Sequence, residues 1–168
     1  MMEVQKYVKE NGFKALADEF GILVREYPDK GIMVLNYSQI DSPKTHPITR
    51  ECRGLTLDID ANVITRSFDR FFNAGEADCV DFRLVPKTDV VHEKMDGSLI
   101  RCYNVGGLWF FGTRGTAFGE GQTATGDTFY ELVMKVYGGL DHENDFQRLA
   151  GEHLNPELTY SLEFTSAE

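Results

Sequence analysis

Apolar side chains recur at two different spacings along the chain. Between residues 3 and 20 they mostly repeat every three to four positions, interrupted at Asn11-Gly12, which predicts two short helices. From residue 22 onward, β-branched and aromatic residues form short runs bounded by turn residues, as strands do. The predicted strands cover residues 22–27, 32–37, 54–59, 63–67, 90–93, 99–105, 108–113 and 158–165.

The connections between these strands are mostly short. Turn sequences join three pairs of neighbouring strands, at residues 28–31, 60–62 and 106–107. Residues 38–50 are predicted to be a loop, and two helices are predicted at 128–137 and 143–150, the first with Thr128 and Glu131 placed for a capping box. The pattern predicts an α+β fold with antiparallel sheets, in a single domain spanning residues 1–168 with a sheet region of about 22–165.

Composition narrows the class of protein. A chain of 168 residues with an ordinary hydrophobic fraction is one globular domain. No apolar run approaches the roughly 18 residues that span a bilayer, and residues 1–11 lack the apolar core of a signal peptide. Three scattered cysteines without a CxxC pair predict free thiols in a reducing compartment. We therefore expect a cytoplasmic protein without a membrane partner.

The charge of the chain is unevenly distributed. The formal net charge is −10, which disfavours a broad basic groove for nucleic acid. Between Lys44 and Arg114, however, ten Lys and Arg stand against ten Asp and Glu, so this stretch is neutral. A local phosphate-binding site in the middle of the chain is compatible with that balance.

The run from His92 to Ser98 carries the strongest candidate chemistry. A lysine amine has a reference pKa of about 10.4 and attacks as a nucleophile only when burial or nearby cations favour its neutral form. Lys94 follows a predicted apolar strand and precedes Asp96-Gly97, a tight turn that Asp96 and Ser98 can stabilise through local hydrogen bonds. A surface turn between two strands explains the same triplet about equally well.

Two arginines border predicted strands beside a glycine. Arg53 opens a strand next to Gly54, whose missing side chain lets a ligand or backbone approach closely. Arg114 ends a later strand. A guanidinium in either place can bind phosphate in bidentate fashion. The ordinary alternatives are an ion pair of Arg53 with Glu51 and a solvated Arg114.

A third arginine lies in an aromatic segment. Arg70 precedes Phe71-Phe72-Asn73 and follows Phe68. The three phenylalanines are predicted to fill the core, and Arg70 is either a phosphate ligand or a solvated side chain.

Glu163 stands in the middle of the last predicted strand. Alternation places Ser161, Glu163 and Thr165 on one face and Tyr160, Leu162 and Phe164 on the other. A carboxylate there is costly unless it is paired or functional; an exposed edge strand is the simpler alternative.

The chain carries no GxxxxGK[ST], HExxH or GxSxG motif, and its four histidines have no metal-ligand spacing.

These segments together resemble the covalent nucleotidyltransferases, the family of ATP-dependent ligases and messenger-RNA capping enzymes. The Lys-x-Asp-Gly signature stands here as Lys94 to Gly97. The closer resemblance is to phage-type RNA ligases of the tRNA-repair kind, which add an upstream Glu-Cys-Arg-Gly strand and a basic-Phe-Phe-Asn segment. Those occur here, in order, as residues 51–54 and 70–73, and residues 161–164 resemble the third motif. The resemblance implies an antiparallel-sheet, ATP-grasp-like nucleotidyltransferase domain.

The resemblance also implies roles for individual residues. Lys94, with Asp96 and Gly97 in its motif, would attack the α-phosphate of ATP and hold AMP. The cofactor-binding residues implied are Arg53, Gly54, Arg70, Glu93, Ser98, Arg114 and Glu163. Mg²⁺ would accompany ATP, with no dedicated protein metal ligands. RNA ends, of which nicked tRNA is one candidate, would be the partner, in the host cytoplasm if a phage encodes the protein.

Two features depart from the family pattern. Relatives usually carry Lys at the position of Arg70, and the two cations bind phosphate with different geometry. The later motifs, among them a Lys-x-Lys strand, are expected after Glu163, where five residues remain. We therefore expect a partial adenylyltransferase domain, truncated on its C-terminal side. The alternatives are a non-catalytic fragment that binds nucleotide or RNA ends, a DNA ligase, a capping guanylyltransferase, and an unrelated α+β domain.

Overall fold

The fold is taken from a computed structural model that describes residues 1–76, 78–123, 126–137 and 142–165. Four α-helices are present in these residues: α1 Glu3–Phe20, α2 Pro47–Glu51, α3 Phe129–Tyr137 and α4 His142–His153. Seven strands accompany them: β1 Ile22–Tyr27, β2 Ile32–Tyr37, β3 Arg53–Asp58, β4 Val63–Thr65, β5 Ser98–Val105, β6 Leu108–Thr113 and β7 Tyr160–Phe164. Short 3-10 turns lie at Pro28–Lys30 and Phe82–Leu84.

The first sheet has the strand order β1-β2-β3-β4, and all of its pairs are antiparallel. Helix α1 covers one face of this sheet, and its apolar side chains pack with those of β1, β2 and β3 around the fully buried Leu16, Leu35 and Leu55. The helix bends at Gly12, where φ is +85°, so the predicted interruption is confirmed as a kink within one helix.

The second sheet has the order β6-β5-β7 and is also antiparallel. Helices α3 and α4 cover one of its faces, where Phe111 and Phe146 meet at a ring distance of 5.4 Å. The capping box at the start of α3 is confirmed: the Thr128 N–H donates to Glu131 Oε2 at 2.7 Å, and the Glu131 N–H donates to Thr128 Oγ1 at 3.1 Å. The prediction of an α+β fold with antiparallel sheets is confirmed.

Polar contacts join the two sheets. Arg101 on β5 donates to Thr56 Oγ1 on β3 at 2.8 Å, and the hydroxyls of Thr65 and Thr159 lie 3.0 Å apart. Ala117, in the loop after β6, donates its N–H to the Tyr27 hydroxyl on β1 at 3.0 Å and accepts from the Tyr103 hydroxyl on β5 at 2.6 Å. A cleft lies between the start of β3 and the end of β6.

Two local predictions are wrong. Residues 90–93 form no strand, and Val90 and Val91 are exposed because no described strand pairs with them. The predicted loop at 38–50 contains the start of α2, a helix too short for a periodic signal, whose His46 Nδ1 accepts from the Ile48 N–H at 3.3 Å. The ends of the other elements match the prediction or differ from it by at most three residues.

None of the described helices is both long enough and apolar enough to cross a membrane. Cys52, Cys79 and Cys102 are free thiols, as predicted.

Candidate functional site

A cleft of about 730 Å³ gathers most of the predicted site residues. Its walls come from the ends of β2, β3, β6 and β7 and from the segment before β5. The predicted residues that line it are Arg53, Glu93, Lys94, Gly97, Ser98, Arg114 and Glu163. Residues far apart in sequence thus converge on one opening, which is large enough for a nucleotide-sized ligand.

Lys94 lies in the cleft wall but is not buried. Its side chain is 70% exposed, and its nearest described carboxylate is Asp96, with 4.0 Å between Nζ and Oδ1. The apolar segment before Lys94 therefore does not desolvate it, since Val90 and Val91 are themselves exposed. The amine can be reached from solvent, and its activation would require other cations in the cleft or a bound ligand.

Gly97 allows the lysine segment to lie against β7. A Cβ at this position would overlap the carbonyl oxygen of Phe164 and lie 3.0 Å from its carbonyl carbon. Ser98 then begins the ladder, since it pairs with Phe164. The glycine of the Lys-x-Asp-Gly motif therefore has a packing role, because it brings Lys94 and Glu163 to the same cleft.

Gly54 has the corresponding role on the opposite wall. Its φ is +71°, and a Cβ there would lie 3.1 Å from the Cα of Arg114. The close approach of β3 to the loop after β6 therefore places Arg53 and Arg114 on one cleft. Gly97 and Gly54 thus both stand where two backbone segments must come close together.

Arg53 does not form the ion pair with Glu51 that was the alternative to phosphate binding. Glu51 instead accepts hydrogen bonds from the Glu3 and Val4 N–H groups at 3.1 and 2.8 Å, at the start of α1, where a carboxylate is favoured. Arg53 stacks over the Phe71 ring, 4.7 Å from its centroid. Its Nη1 is buried and has no hydrogen-bond partner in the described part of the chain.

Arg70 is buried rather than solvated. It is 9% exposed, and its guanidinium carbon lies 4.5 Å from the centroid of Tyr37. Arg114 lies over the same ring at 5.5 Å. Nε and Nη1 of Arg70 find no hydrogen-bond acceptor among the residues described. Two cations on one aromatic ring, with unused donors, are an arrangement that an anion would stabilise.

The three arginines have no carboxylate partner in the part of the chain that the structure describes. Across residues 1–76, 78–123, 126–137 and 142–165, no carboxylate forms an ion pair with Arg53, Arg70 or Arg114. In a chain of net charge −10, three unpaired arginines at one place favour binding of a polyanion.

Some predicted residues lie elsewhere. Asp96 does not line the cleft and points into solvent. Phe68 and Phe71 are 59% and 53% exposed, so the prediction that they fill the core is wrong. They line the cleft instead, because the segment after β4 runs along its rim rather than under the sheet. Aromatic rings at a rim are suited to a base or a ribose.

Glu163 lines the cleft from β7, which is the edge of its sheet. The predicted alternation is confirmed, since Tyr160 and Leu162 face the pocket under α4. The carboxylate is exposed and therefore available to hydroxyl groups or to a cation.

Sequence reasoning missed three residues of this region. Asn36 lines the cleft with a buried Oδ1 that no described donor reaches, and Tyr37 lies under two arginines. The sequence feature that could have indicated them is the pair of polar side chains at the end of the apolar strand β2. Arg101 is fully buried beneath the cleft, and its signal was a charged residue between Ile100 and Cys102 on an otherwise apolar strand.

Comparison with known proteins identifies the family of this chain. The sequence model of a family described as RNA ligase matches residues 51–168, which contain every predicted site residue. The chain belongs to the RNA ligase family. A protein of Autographa californica nuclear polyhedrosis virus, named as a bifunctional polynucleotide kinase/RNA ligase, is 35% identical over 175 residues.

That alignment covers 99% of this chain and 25% of the viral relative. The chain therefore spans about a quarter of the length of the curated relative that it matches. Family membership rests on nearly the whole chain, and the residues of the cleft fall within the matched region.

Proposed function

We propose that the chain is the nucleotide-binding part of an ATP-dependent RNA ligase, with Lys94 as the nucleophile. The observation that carries this proposal is the convergence of Lys94, Arg53, Arg114 and Glu163 on one cleft, with Arg70 unpaired beside it. The family supplies the reaction class, and the cleft supplies the groups that a nucleoside triphosphate requires.

The first step is a transfer of AMP to the protein. The neutral amine of Lys94 attacks the α-phosphorus and forms a phosphorus–nitrogen bond. The bond from that phosphorus to the bridging oxygen breaks, pyrophosphate leaves, and the amine loses its proton to solvent. The reaction needs in-line positioning and neutralisation of the charge on the leaving oxygens, which cations provide.

We assign different parts of the nucleotide to different residues of the cleft. Arg53 and Arg70 have buried nitrogens without described acceptors, so they are suited to the β- and γ-phosphates. Arg114 and Glu163 would contact the α-phosphate and the ribose hydroxyls. Glu93 would contribute its backbone to adenine recognition, and Gly54, Gly97 and Ser98 would shape the walls around it.

Mg²⁺ fits this site as an ion delivered with ATP. The part of the chain that the structure describes contains no cluster of three or more metal-ligating side chains, and the carboxylates lining the cleft are Glu93 and Glu163. Mg²⁺ commonly binds through substrate phosphates and one or two carboxylates. When bound, it would neutralise phosphate charge and help to orient the triphosphate.

We further propose that the adenylate passes to an RNA 5′-phosphate. A 3′-hydroxyl would then attack that activated phosphate, form the phosphodiester bond and release AMP. The name of the viral relative couples an RNA ligase to a polynucleotide kinase, an activity that would supply 5′-phosphate ends. Broken RNA with such ends, nicked tRNA among them, is the substrate that we propose.

The exposure of Lys94 favours a second candidate, a domain that binds nucleotide without reacting with it. The Lys94 side chain is 70% exposed, whereas a nucleophilic lysine is commonly desolvated or held next to another cationic group. This candidate predicts reversible ATP binding by calorimetry and no covalent adduct.

The two candidates are separated by radiolabelled nucleotides. We expect label from α-phosphate-labelled ATP on the protein and none from γ-phosphate-labelled ATP, with ATP competing better than GTP. Chasing the labelled protein with 5′-phosphorylated RNA should move the label to RNA in preference to DNA. Binding without label would favour the non-catalytic candidate, and transfer to DNA alone would contradict the assignment to RNA.

A further inference from the structure

Arg101 is a buried cation to which the proposed reaction assigns no part. It lies on β5 and is 0% exposed. Its neighbours Ile100 and Cys102 pack toward the helices, while its own side chain faces the first sheet. A charge is costly to bury unless hydrogen bonds compensate it, so the contacts of this guanidinium indicate what it does.

Those contacts connect the two walls of the cleft. Nη1 donates to Thr56 Oγ1 on β3 at 2.8 Å, three residues after Arg53. Nη2 donates to the carbonyls of Thr113 and Thr116 at 2.7 and 3.1 Å. These two carbonyls flank Arg114, so one planar group joins the strand that carries Arg53 to the loop that carries Arg114.

The loop itself is held tightly to the end of β6. The hydroxyls of Thr113 and Thr116 lie 2.8 Å apart, and a Cβ at Gly112 would lie 2.5 Å from the Thr116 carbonyl oxygen. Because the loop is locally stiff, its position relative to β3 depends on the groups that bridge the two. Arg101 is the bridge that reaches both Thr56 and the loop carbonyls.

The charge of Arg101 also lies directly under the cleft. Its Nε is 3.4 Å from the place that a Cβ at Gly54 would occupy, and it has no hydrogen-bond partner among residues 1–76, 78–123, 126–137 and 142–165. No carboxylate in those residues forms an ion pair with it. Burial lowers the pKa of Arg101 to about 10, so it stays protonated at neutral pH.

We propose that Arg101 is a positioning residue for the triphosphate: it sets the distance between Arg53 and Arg114 and adds an uncompensated positive charge beneath them. This inference rests on the proposed function, because it assumes that the cleft binds a polyphosphate. It assigns Arg101 no contact with the ligand, since the side chain does not line the cleft.

Two threonines provide a matched test. Thr56 and Thr65 are direct partners on β3 and β4, and both are buried. Each has a hydroxyl contact outside the first sheet, Thr56 with Arg101 on β5 and Thr65 with Thr159 just before β7. Thr56→Val and Thr65→Val therefore remove one buried hydroxyl each, but only Thr56→Val loosens Arg101 while leaving its charge in place.

The experiment measures ligand affinity and local exchange on the same proteins. Calorimetry with ATP and with inorganic tripolyphosphate is performed on the wild type, Thr56→Val, Thr65→Val and Arg101→Lys. Hydrogen exchange is followed at the amides of residues 113–117. We expect Thr56→Val to weaken both ligands about three- to tenfold, within the range of one ordinary net hydrogen bond, because the Thr56 hydroxyl acts through Arg101 and not on the ligand itself. We also expect faster exchange in this loop.

The control and the conservative variant sharpen the result. Thr65→Val should stay within about twofold of the wild type in affinity, with unchanged exchange at 113–117, even if it costs similar stability. Arg101→Lys should weaken binding more than Thr56→Val, because an ammonium cannot bridge three acceptors as a planar fork does.

The outcomes distinguish a failure of the role proposed for Arg101 from a failure of the proposed function. Equal affinity and equal exchange for Thr56→Val and Thr65→Val would overturn the role of Arg101. If the wild type bound neither ATP nor tripolyphosphate, the proposed function would fail, and the triphosphate role of Arg101 with it. The exchange data would then show whether the bridge to the loop exists at all.

Discussion

Glu163 lies directly opposite Leu99 across the β5–β7 ladder. Leu99 follows Lys94 by five residues, and Gly97 between them packs against the backbone of Phe164. The strand that carries the carboxylate is thus paired with the strand that begins just after the lysine. This pairing places Glu163 on the same cleft as the proposed nucleophile, with no ion pair between the two side chains.

Replacing Glu163 tests whether its position in the cleft is functional. We expect Glu163→Gln to lower the rate of protein adenylation about tenfold or more, because a carboxylate is a stronger acceptor for ribose hydroxyls than an amide. Glu157→Gln is the control, since Glu157 is exposed shortly before β7. Rates from α-labelled ATP that are equal for the two variants would show that Glu163 is only a solvated edge residue.

Gly54 is predicted to tolerate no side chain. Gly54→Ala should destabilise the fold by about 1–2 kcal/mol through its left-handed backbone alone, with a further loss from the approach of Arg114. Gly107→Ala is the matched control, because its φ is +87° and a Cβ there meets nothing within 4 Å. Urea unfolding of both variants separates backbone strain from the close approach.

The same pair of variants also reports on the site. Gly54→Ala should weaken ATP binding, whereas Gly107→Ala should not. Equal stability and equal affinity in the two variants would contradict the close packing of β3 against the Arg114 loop.

Arg70 is predicted to bind phosphate despite its burial. We expect Arg70→Ala to weaken tripolyphosphate binding about tenfold or more, as for a lost charge-assisted hydrogen bond. Arg66→Ala is the control: Arg66 is exposed and paired with Asp69 at 2.7 Å, so its loss should change affinity little. Calorimetry checks both, and a normal affinity in Arg70→Ala would remove Arg70 from the proposed site.

The capping box of α3 gives a prediction for acid stability. Hydrogen bonds from the Thr128 N–H and hydroxyl lower the pKa of Glu131 below its usual value of 4.5. A carboxyl whose pKa is lower in the folded state stabilises fully above pH 4.5, and that stability is lost as the pH falls through the lowered value. Glu131→Gln should therefore flatten the fall in the free energy of unfolding below about pH 4.5. A fall of unchanged steepness would contradict the capping box.

The strands paired by local hairpins were predictable from sequence because alternation and turn residues act over short distances. β1, β2, β5 and β6 lie within a residue of their predicted bounds. The segment at 90–93 was wrongly predicted to be a strand, because a strand requires a partner and apolar residues alone do not provide one. Tertiary context, absent from the local pattern, decides such segments.

The members of the site were largely predictable, but their environment was not. Motif residues such as Arg53 and Glu163 do line one cleft. The burial of Arg70, the exposure of Phe71 and the bridge made by Arg101 all depend on how the two sheets meet. That relation involves residues 45 positions apart in the Thr56–Arg101 contact, which no local spacing encodes.

Intact-protein mass spectrometry after incubation with ATP and Mg²⁺ tests the central claim most directly. It would be applied to the wild type, to Lys94→Arg, and to Lys87→Arg as a control on an exposed lysine of the same segment. We predict one AMP adduct on the wild type and on Lys87→Arg, mapped to Lys94 by peptide analysis, and none on Lys94→Arg. An adduct that persists in Lys94→Arg, or its absence from a wild type that binds ATP, would contradict Lys94 as the nucleophile of this domain.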